Sequence, residues 1–381
     1  MPPRRHRALA VATLALLSLA TRTGAEEMIR VAVRTGASRT TLSAPGLRVR
    51  PAAQIVEGQA EALHEGDRVG RGKVEVRVDR RGDGLSIDGK RWAAPVAVFA
   101  ADGAIRADGR ELSRWVEVRR ARSGLAVVEV LPMEDYVAGV VSGETPTSFP
   151  PEARKAQAVA ARTFALVRKL EAVAAGRGWD LGATVISQVF VGAGAADAGA
   201  REAAAATAGE VLVLDQEPVE TYFHSSCGGR TEDGLAALGR GYEYLSSVEC
   251  GRCDGAPGAH WRQVIPSEEV GRAAGLGRAV TAVEVVERTR SGRAARLEVS
   301  AGKRRATLTG VELRQRLGYG RLRSLAFEVE PVKGGFAFAG RGSGHGAGLC
   351  QWGAAGFARE GKGYREILGH YYPGTEIVVM Y

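Results

Sequence analysis

Apolar and polar positions alternate in short runs over residues 26 to about 125, at 47–50, 73–78, 85–87 and 116–118, and the pattern continues into 126–130. A period of two is the mark of half-buried strands. Arg81-Gly82-Asp83-Gly84, Asp88-Gly89, Asp102-Gly103 and Asp108-Gly109 separate the runs, and Asp-Gly between alternating runs marks tight hairpins. Leu85-Ser86-Ile87-Asp88-Gly89 echoes Ile105-Arg106-Ala107-Asp108-Gly109. The echo predicts two similar hairpins and not a repeat architecture.

The period then changes. Ala156, Val159, Ala160, Thr163, Val167 and Leu170 fall on one helical face, which predicts a long Ala-rich helix over 151–175, packed closely against a neighbour. Ser148 is the expected cap, and Pro150 and Pro151 occupy the first turn, where a missing N–H costs nothing. A second helix is expected at 200–207, then a hairpin of 211–214 and 219–223 across Asp215-Gln216-Glu217. Strands at 281–287, 295–299 and 324–329, a helix at 309–317 and another near 364–370 complete the pattern. The fold class is α+β: a β-rich N-terminal region (26–125), then a mixed α/β domain (126–381) with one long Ala-rich helix.

Composition narrows the class. Of 381 residues, 45% are hydrophobic and 25% charged, the globular range. Glycine numbers 51, about 13% against the usual ~7%, which favours turns over a helical bundle. The net charge is +9, but the first 25 residues hold four arginines and no acid, leaving +5 for the rest. No Lys/Arg cluster is interleaved with aromatics, so nucleic acid is not the expected partner; an anionic wall polymer suits a mildly basic protein. Arg4-Arg5-His6-Arg7 followed by an apolar run from Ala8 to Ala20 and by Thr23-Gly24-Ala25 reads as an export signal cleaved after Ala25. The paired arginines hint at the twin-arginine route; a retained anchor is the alternative. No later segment reaches ~18 apolar residues. The expected location is the periplasm or cell envelope.

Three stretches carry candidate chemistry. Glu134 and Asp135 stand at a strand-to-helix junction, where they suit a helix N-terminus. Glu144 instead ends the apolar segment Val140-Val141-Ser142-Gly143. An acid on an apolar lip has its pKa raised, as a general acid near neutrality needs; a solvated loop acid is the alternative. His224-Ser225-Ser226-Cys227-Gly228-Gly229 joins a His, two hydroxyls and a thiol, without a G-x-S-x-G elbow or any mark of a low-pKa Cys227. Gly344-His345-Gly346-Ala347-Gly348 is a glycine loop around one His, allowing close backbone approach to a ligand, and it lacks the ending of a phosphate loop. The four cysteines, Cys227, Cys250, Cys253 and Cys350, all lie in the second half. Cys250-x-x-Cys253 has the spacing of half a tetrahedral zinc site, with Cys227, Cys350, His224 or His260 as candidates to complete it. Disulfides are equally compatible with export. Their concentration beside functional motifs predicts that the four converge in the fold.

Taken in order, five segments resemble the SpoIID/LytB family, the stage II sporulation protein D and amidase-enhancer group: Leu131-Pro132-Met133-Glu134-Asp135-Tyr136 through Glu144-Thr145-Pro146; Lys155-Ala156-Gln157 through Arg162-Thr163; Phe223-His224-Ser225-Ser226-Cys227-Gly228-Gly229; Gly344-His345-Gly346 through Gln351-Trp352-Gly353; and His370-Tyr371-Tyr372-Pro373-Gly374. The resemblance covers about residues 115–381. It implies work on peptidoglycan. Sporulation members look like lytic transglycosylases acting on glycan stripped of stem peptides, with the catalytic glutamate at the position of Glu144. LytB members are described as enhancers of a partner N-acetylmuramoyl-L-alanine amidase. Thr145 departs from the Met common at that position. Some members bind zinc.

Gln157, Arg162, His224, Ser225, His345, Gly346 and Gln351 are the candidate substrate-binding residues, and His345 is expected beside Glu144. One acid suffices for such a reaction. Hydrolytic glycosidases need two carboxylates, whereas here the sugar's own C6 hydroxyl attacks, gaining the advantage of proximity. No cofactor is required, and any zinc is structural. The rivals are a wall-binding amidase enhancer and a zinc hydrolase of the stem peptide; the second needs a metal with an open position, and no H-E-x-x-H is present.

Overall fold

The computed structural model of the protein describes residues 26–52, 67–68, 72–79, 84–183 and 188–381. The expected leader (1–25) and the turn residues 81–83 lie outside the described residues. Alternation over 26–132 produces two sheets packed face to face, antiparallel except where the later strand Leu181–Gly182 joins one edge in parallel. One runs in the order Arg110–Glu111, Arg106–Ala107, Arg39–Ser43, Lys73–Val78, Leu85–Ile87, Lys90–Trp92. The other runs Leu181–Gly182, Met28–Ala37, Gly124–Pro132, Trp115–Ala121, Val96–Phe99, Arg48–Pro51, Asp67–Arg68. Leu42, Val74, Val76 and Ile87 of the first bury against Val98, Val116, Val118 and Val127 of the second. The two echoed hairpins are alike in detail. Asp88 and Asp108 both adopt positive φ before a positive-φ glycine, the type I′ geometry that matches strand twist. Each also caps a neighbouring strand, Asp88 accepting from Glu75 N–H and Asp108 from Thr41 N–H.

Gly124–Pro132 lies between Met28–Ala37 and Trp115–Ala121, so it crosses the expected division at residue 125 and carries the chain directly into helix α1 (Met133–Glu144). α1 packs beside α2 (Pro151–Ala174) and α3 (Ala198–Ala206). Helix α2 is central. Ala158, Ala161, Phe164 and Ala165 face α1 and the sheet end, while Ala153, Ala156, Val159 and Ala160 face the cysteine-bearing turns and the helices Gln351–Arg359 and Tyr364–Tyr371. Small side chains let elements approach from both sides, which accounts for the alanine content. Although α2 is the longest described helix, no helix is long and apolar enough to cross a membrane among the described residues.

Residues 260–341 build a separate core between Cys253 and Cys350. Strands His260–Pro266, Gly335–Arg341 and Phe327–Val332 form one sheet, and Ala282–Arg288, Ala294–Ala301 and Arg304–Thr309 another. Helices Ser267–Ala273 and Gly310–Leu317 cover them, enclosing Ile265, Val270, Leu297, Leu313 and Phe338. The mixed region therefore contains an inserted unit that periodicity alone did not separate.

Two local expectations are corrected. Ser148 does not cap α2. Pro150 is the N-cap, with no side-chain cap bond; its carbonyl takes the N–H groups of Ala153 and Arg154, so the helix starts too late for Ser148 to reach. The hairpin after Glu210–Leu214 pairs only Glu217–Pro218. Val219 still donates its N–H to the Leu212 carbonyl at 3.1 Å, and residues 220–222 then lie along α2, where Thr221 Oγ1 donates to the Ala160 carbonyl at 2.7 Å.

Candidate active site

Glu144 is the last residue of α1. Thr145 closes the helix end, its Oγ1 donating to the Val141 carbonyl at 2.6 Å, so Thr is well suited to that position. The Glu144 side chain is half-buried. Its Oε1 accepts the Val189 N–H at 2.8 Å, and its Oε2 accepts Gln351 Nε2 at 3.3 Å. The same Gln351 nitrogen reaches Gln157 Oε1 at 3.4 Å. Both glutamines are buried, and Gln157 Nε2 has no partner. No cation pairs with Glu144 among the described residues. Burial raises its pKa, opposed by the two hydrogen bonds, and the negative end of the α1 dipole acts in the same direction as burial. This is a carboxyl that holds its proton to a higher pH than an exposed glutamate does.

The segment carrying Val189 seats on α1 because α1 is notched there. A Cβ at Gly139 would stand 2.5 Å from the Phe190 ring, and one at Gly143 2.7 Å from the Val189 carbonyl. Tyr136 holds the same segment through a 2.7 Å hydrogen bond to Gln188. Asp197, the α3 N-cap, takes both Arg154 nitrogens (2.7 and 2.6 Å) and Ser142 Oγ, which holds its carboxyl well below the usual range. Sequence reasoning missed Val189, Gln188 and Asp197; only Asp197, three residues before Ala200 at the head of an alanine run, carried a readable cap signal.

The other candidates divide. Gln157 and Gln351 stand at Glu144, from the middle of the fold and from the N-terminus of the helix Gln351–Arg359. Arg162 does not reach the site. It is fully buried, donating to Glu134 (2.9 Å) and to the Ala204 and Glu210 carbonyls (both 3.1 Å). Its apolar surroundings demand a counter-charge, and Glu134 supplies it, so Glu134 is more than a helix-terminal acid. His345 braces the glycine loop and makes no hydrogen bond to Glu144. Its Nε2 donates to the Phe223 carbonyl at 2.9 Å and its Nδ1 accepts the Ala347 N–H at 3.2 Å; burial pushes its pKa down to about 4. His224 is buried beside it, ring centroids 5.5 Å apart, donating from Nδ1 to the Ala347 carbonyl. Its imidazole is held well below the ordinary range by burial. Ser225 offers its carbonyl to Trp352 N–H. Gly346 is buried, and a Cβ there would meet Arg293 Nη2 at 2.8 Å.

The four cysteines do converge. All are buried and unpaired by disulfides, their sulfurs lie within 4.8 Å of one another, and Cys227 and Cys253 are 3.6 Å apart at sulfur. A zinc tetrahedron with ~2.3 Å bonds has edges near ~3.7 Å, so the set fits with small adjustment. Backbone N–H groups of Cys227 and Gly353 point at Cys350 Sγ (3.2 and 3.3 Å), the outer support expected of a thiolate ligand. A Cβ at Gly353 would lie 2.4 Å from Cys250 Sγ, so the helix can approach only through a glycine. His224 and His260 are outside this group of donors. Four sulfur ligands would leave no open coordination position, which suits a structural ion and not a hydrolytic one.

Residues 121–214 match the family model described as Stage II sporulation protein, and residues 267–348 one described as Domain of unknown function (DUF8618). The chain is 34% identical over 262 residues to an uncharacterized protein of Brachyspira hyodysenteriae, covering 67% of this chain and 68% of the relative. It is 33% identical over 265 residues to stage II sporulation protein D of Bacillus subtilis, covering 66% and 75%. Similarity to the amidase enhancer of Bacillus subtilis is 26% over 288 residues, 63% of this chain and 40% of that protein.

Proposed function

The chain belongs to the SpoIID/LytB family, and we propose that it acts in the cell envelope as a peptidoglycan lytic transglycosylase, cutting stem-peptide-free glycan with Glu144 as its acid and base. The observation that carries this reading is the state of Glu144: half-buried, raised in pKa by burial, and oriented through both oxygens by neutral donors. As a carboxylic acid it donates its proton to the glycosidic oxygen as the C1–O bond breaks. The C6 hydroxyl of the same sugar then bonds to C1 and gives its proton to the Glu144 carboxylate. The products are a 1,6-anhydro end and a free hydroxyl on the leaving sugar; no water is consumed, and the acid is regenerated. A second carboxylate is not needed, since the nucleophile is already attached.

Zinc, on this reading, is structural. Cys227, Cys250, Cys253 and Cys350 would hold it, and the ion would tie the turn at 250–253 to the start of the helix that presents Gln351. The deciding experiment is mass spectrometry of products from denuded glycan with wild-type and Glu144→Gln protein; anhydro ends that vanish in the variant support the assignment. The similarity to an amidase enhancer favours a second reading, a wall-binding protein that stimulates an N-acetylmuramoyl-L-alanine amidase. Under it, intact glycan and a stimulated amidase are expected, unchanged by Glu144→Gln.

A further inference from the structure

The inserted unit has no assigned role, yet a cleft of about 520 Å³ opens where its strands begin and end. That volume is in the range of small-molecule sites. Small residues make up much of its lining. Gly340, Ala339, Ala326 and Gly292 line it, and a Cβ at Gly340 would strike the Trp261 ring at 2.3 Å. Trp261 is itself fixed by an Nε1 bond to the Gly342 carbonyl at 3.0 Å.

The charges around the cleft are unbalanced. Arg288 is spoken for: it donates to Glu328 at 2.6 Å and to the Gly292 and Phe327 carbonyls at 2.9 and 3.2 Å. Glu328, the acid on the lining, is thereby engaged. Arg341 is exposed, and its guanidinium has no hydrogen bond or ion pair among the described residues. His260 is its direct partner across the antiparallel strands, so the two side chains leave one face with Cβ atoms ~5 Å apart. Behind them Arg293 is buried, donating to the Cys227 and Arg230 carbonyls at 2.7 and 3.1 Å, and Arg341 stands close enough to add to the positive field there. An uncompensated guanidinium and an imidazole over a shallow, small-residue floor suit an anion carried on a bulky body. A planar, bidentate carboxylate matches the guanidinium fork.

We propose that this cleft binds an acidic sugar, with its carboxylate held between Arg341 and His260 and its ring against Ala339, which lies two residues from Arg341 on the same face of the strand. The choice of saccharide rests on the glycan-cutting reading above. On a strand stripped of stem peptides each muramic acid exposes its lactyl carboxylate; on an unstripped strand that group is an amide. The cleft would thus read whether a strand has been stripped, and Arg341 leads within four residues to His345 of the glycine loop.

Calorimetric titration of the full chain tests this without requiring cleavage. N-acetylmuramic acid is expected to bind and N-acetylglucosamine not to. Arg341→Gln should weaken binding about 10- to 100-fold, as loss of a charged hydrogen-bonding partner does, with an unchanged melting curve. Should Arg341→Gln fail to fold, Arg341→Lys and His260→Gln provide the same comparison, each with weaker binding expected. Unchanged affinity in the folded variants overturns the inference, as does equal binding of the acidic and neutral sugars. Inorganic phosphate binding as tightly, with the same dependence on Arg341, makes this a general anion site and overturns the sugar assignment. Equal binding of a muramoyl peptide overturns the reading of stripped strands. A wild-type protein that fails to cut glycan sinks the role of Glu144 and leaves these isotherms intact, so the two failures are distinguishable.

Discussion

Glu144→Gln separates chemistry from architecture because the surroundings can absorb the new amide. Gln at 144 keeps an oxygen for the Val189 N–H and turns an NH2 toward Gln351, which today donates to Oε2. Gln351 then rotates its amide to offer oxygen. Gln157, bonded to Gln351 and carrying an unpartnered Nε2, rotates to donate to that oxygen. The hydrogen bonds are retained through these amide rotations, so stability should change by less than ~1 kcal/mol, the net worth of one neutral bond. Catalysis has no such compensation, since an amide cannot give the proton. General acid–base participation contributes ~10²–10⁴-fold, or about 3–5 kcal/mol of barrier. The assay is release of anhydro-ended fragments from stem-peptide-free glycan, followed by mass spectrometry, with a thermal melt on the same sample. A folded variant keeping more than about a tenth of the wild-type rate, well above the loss expected of a missing general acid, would refute the assignment.

Burial raises the Glu144 pKa in the folded state, so the neutral side chain stabilises the fold below the unfolded carboxyl range and this contribution is lost as pH rises through the folded value. Cleavage should fall over that same upper limb, and Glu144→Gln should lose the corresponding slope in its melting temperature; a wild-type rate that keeps climbing through that limb would contradict the mechanism. Metal analysis should find one zinc per chain, and Cys253→Ser should lose it and melt at a lower temperature. Metal-free protein whose mass reports two oxidised cysteine pairs would show disulfides instead. Arg162→Met leaves Glu134 without its buried partner and should cost ~3–5 kcal/mol, read by denaturant unfolding, while the KM of the folded fraction stays constant; a changed KM with unchanged stability would return Arg162 to the binding site.

The local code was legible where short-range physics decides. The Asp88-Gly89 and Asp108-Gly109 hairpins, the alternating strands and the Ala-rich face of α2 appear where their periods and turn residues put them, because backbone geometry there depends on neighbours a few residues away; Asp102-Gly103 instead carries the chain from one sheet to the other. Glu144 could be singled out from its apolar approach and its motif. Cys250-x-x-Cys253 announced a turn able to present two sulfurs, and the position of Cys227 and Cys350 in functional motifs hinted that they would join it. Where motif polarity was read as function, the outcome was mixed. Gln157 and Gln351 stand at Glu144, but Arg162 and His345 turn their polar atoms to backbone and side-chain partners, and His224 bonds the Ala347 carbonyl through Nδ1 while its buried Nε2 has no partner. A polar residue in an apolar neighbourhood must be satisfied internally, and sequence does not say which neighbours will be apolar.

What the sequence alone determined was therefore the class of most elements, several of the turns between them and the singling out of Glu144 as a candidate acid. Tertiary structure decided the environment of Glu144: Val189 arrives from a segment 45 residues away and Gln351 from 207 residues away, and the approach of the Val189 segment is permitted by notches at Gly139 and Gly143. It also decided that residues 260–341 close on a core of their own, so that Cys253 and Cys350 meet across an inserted unit and Arg341 is left beside a cleft without a counter-charge. These are long-range consequences of close packing. They depend on which surfaces fit together once the elements exist, and local periodicity carries no record of that choice.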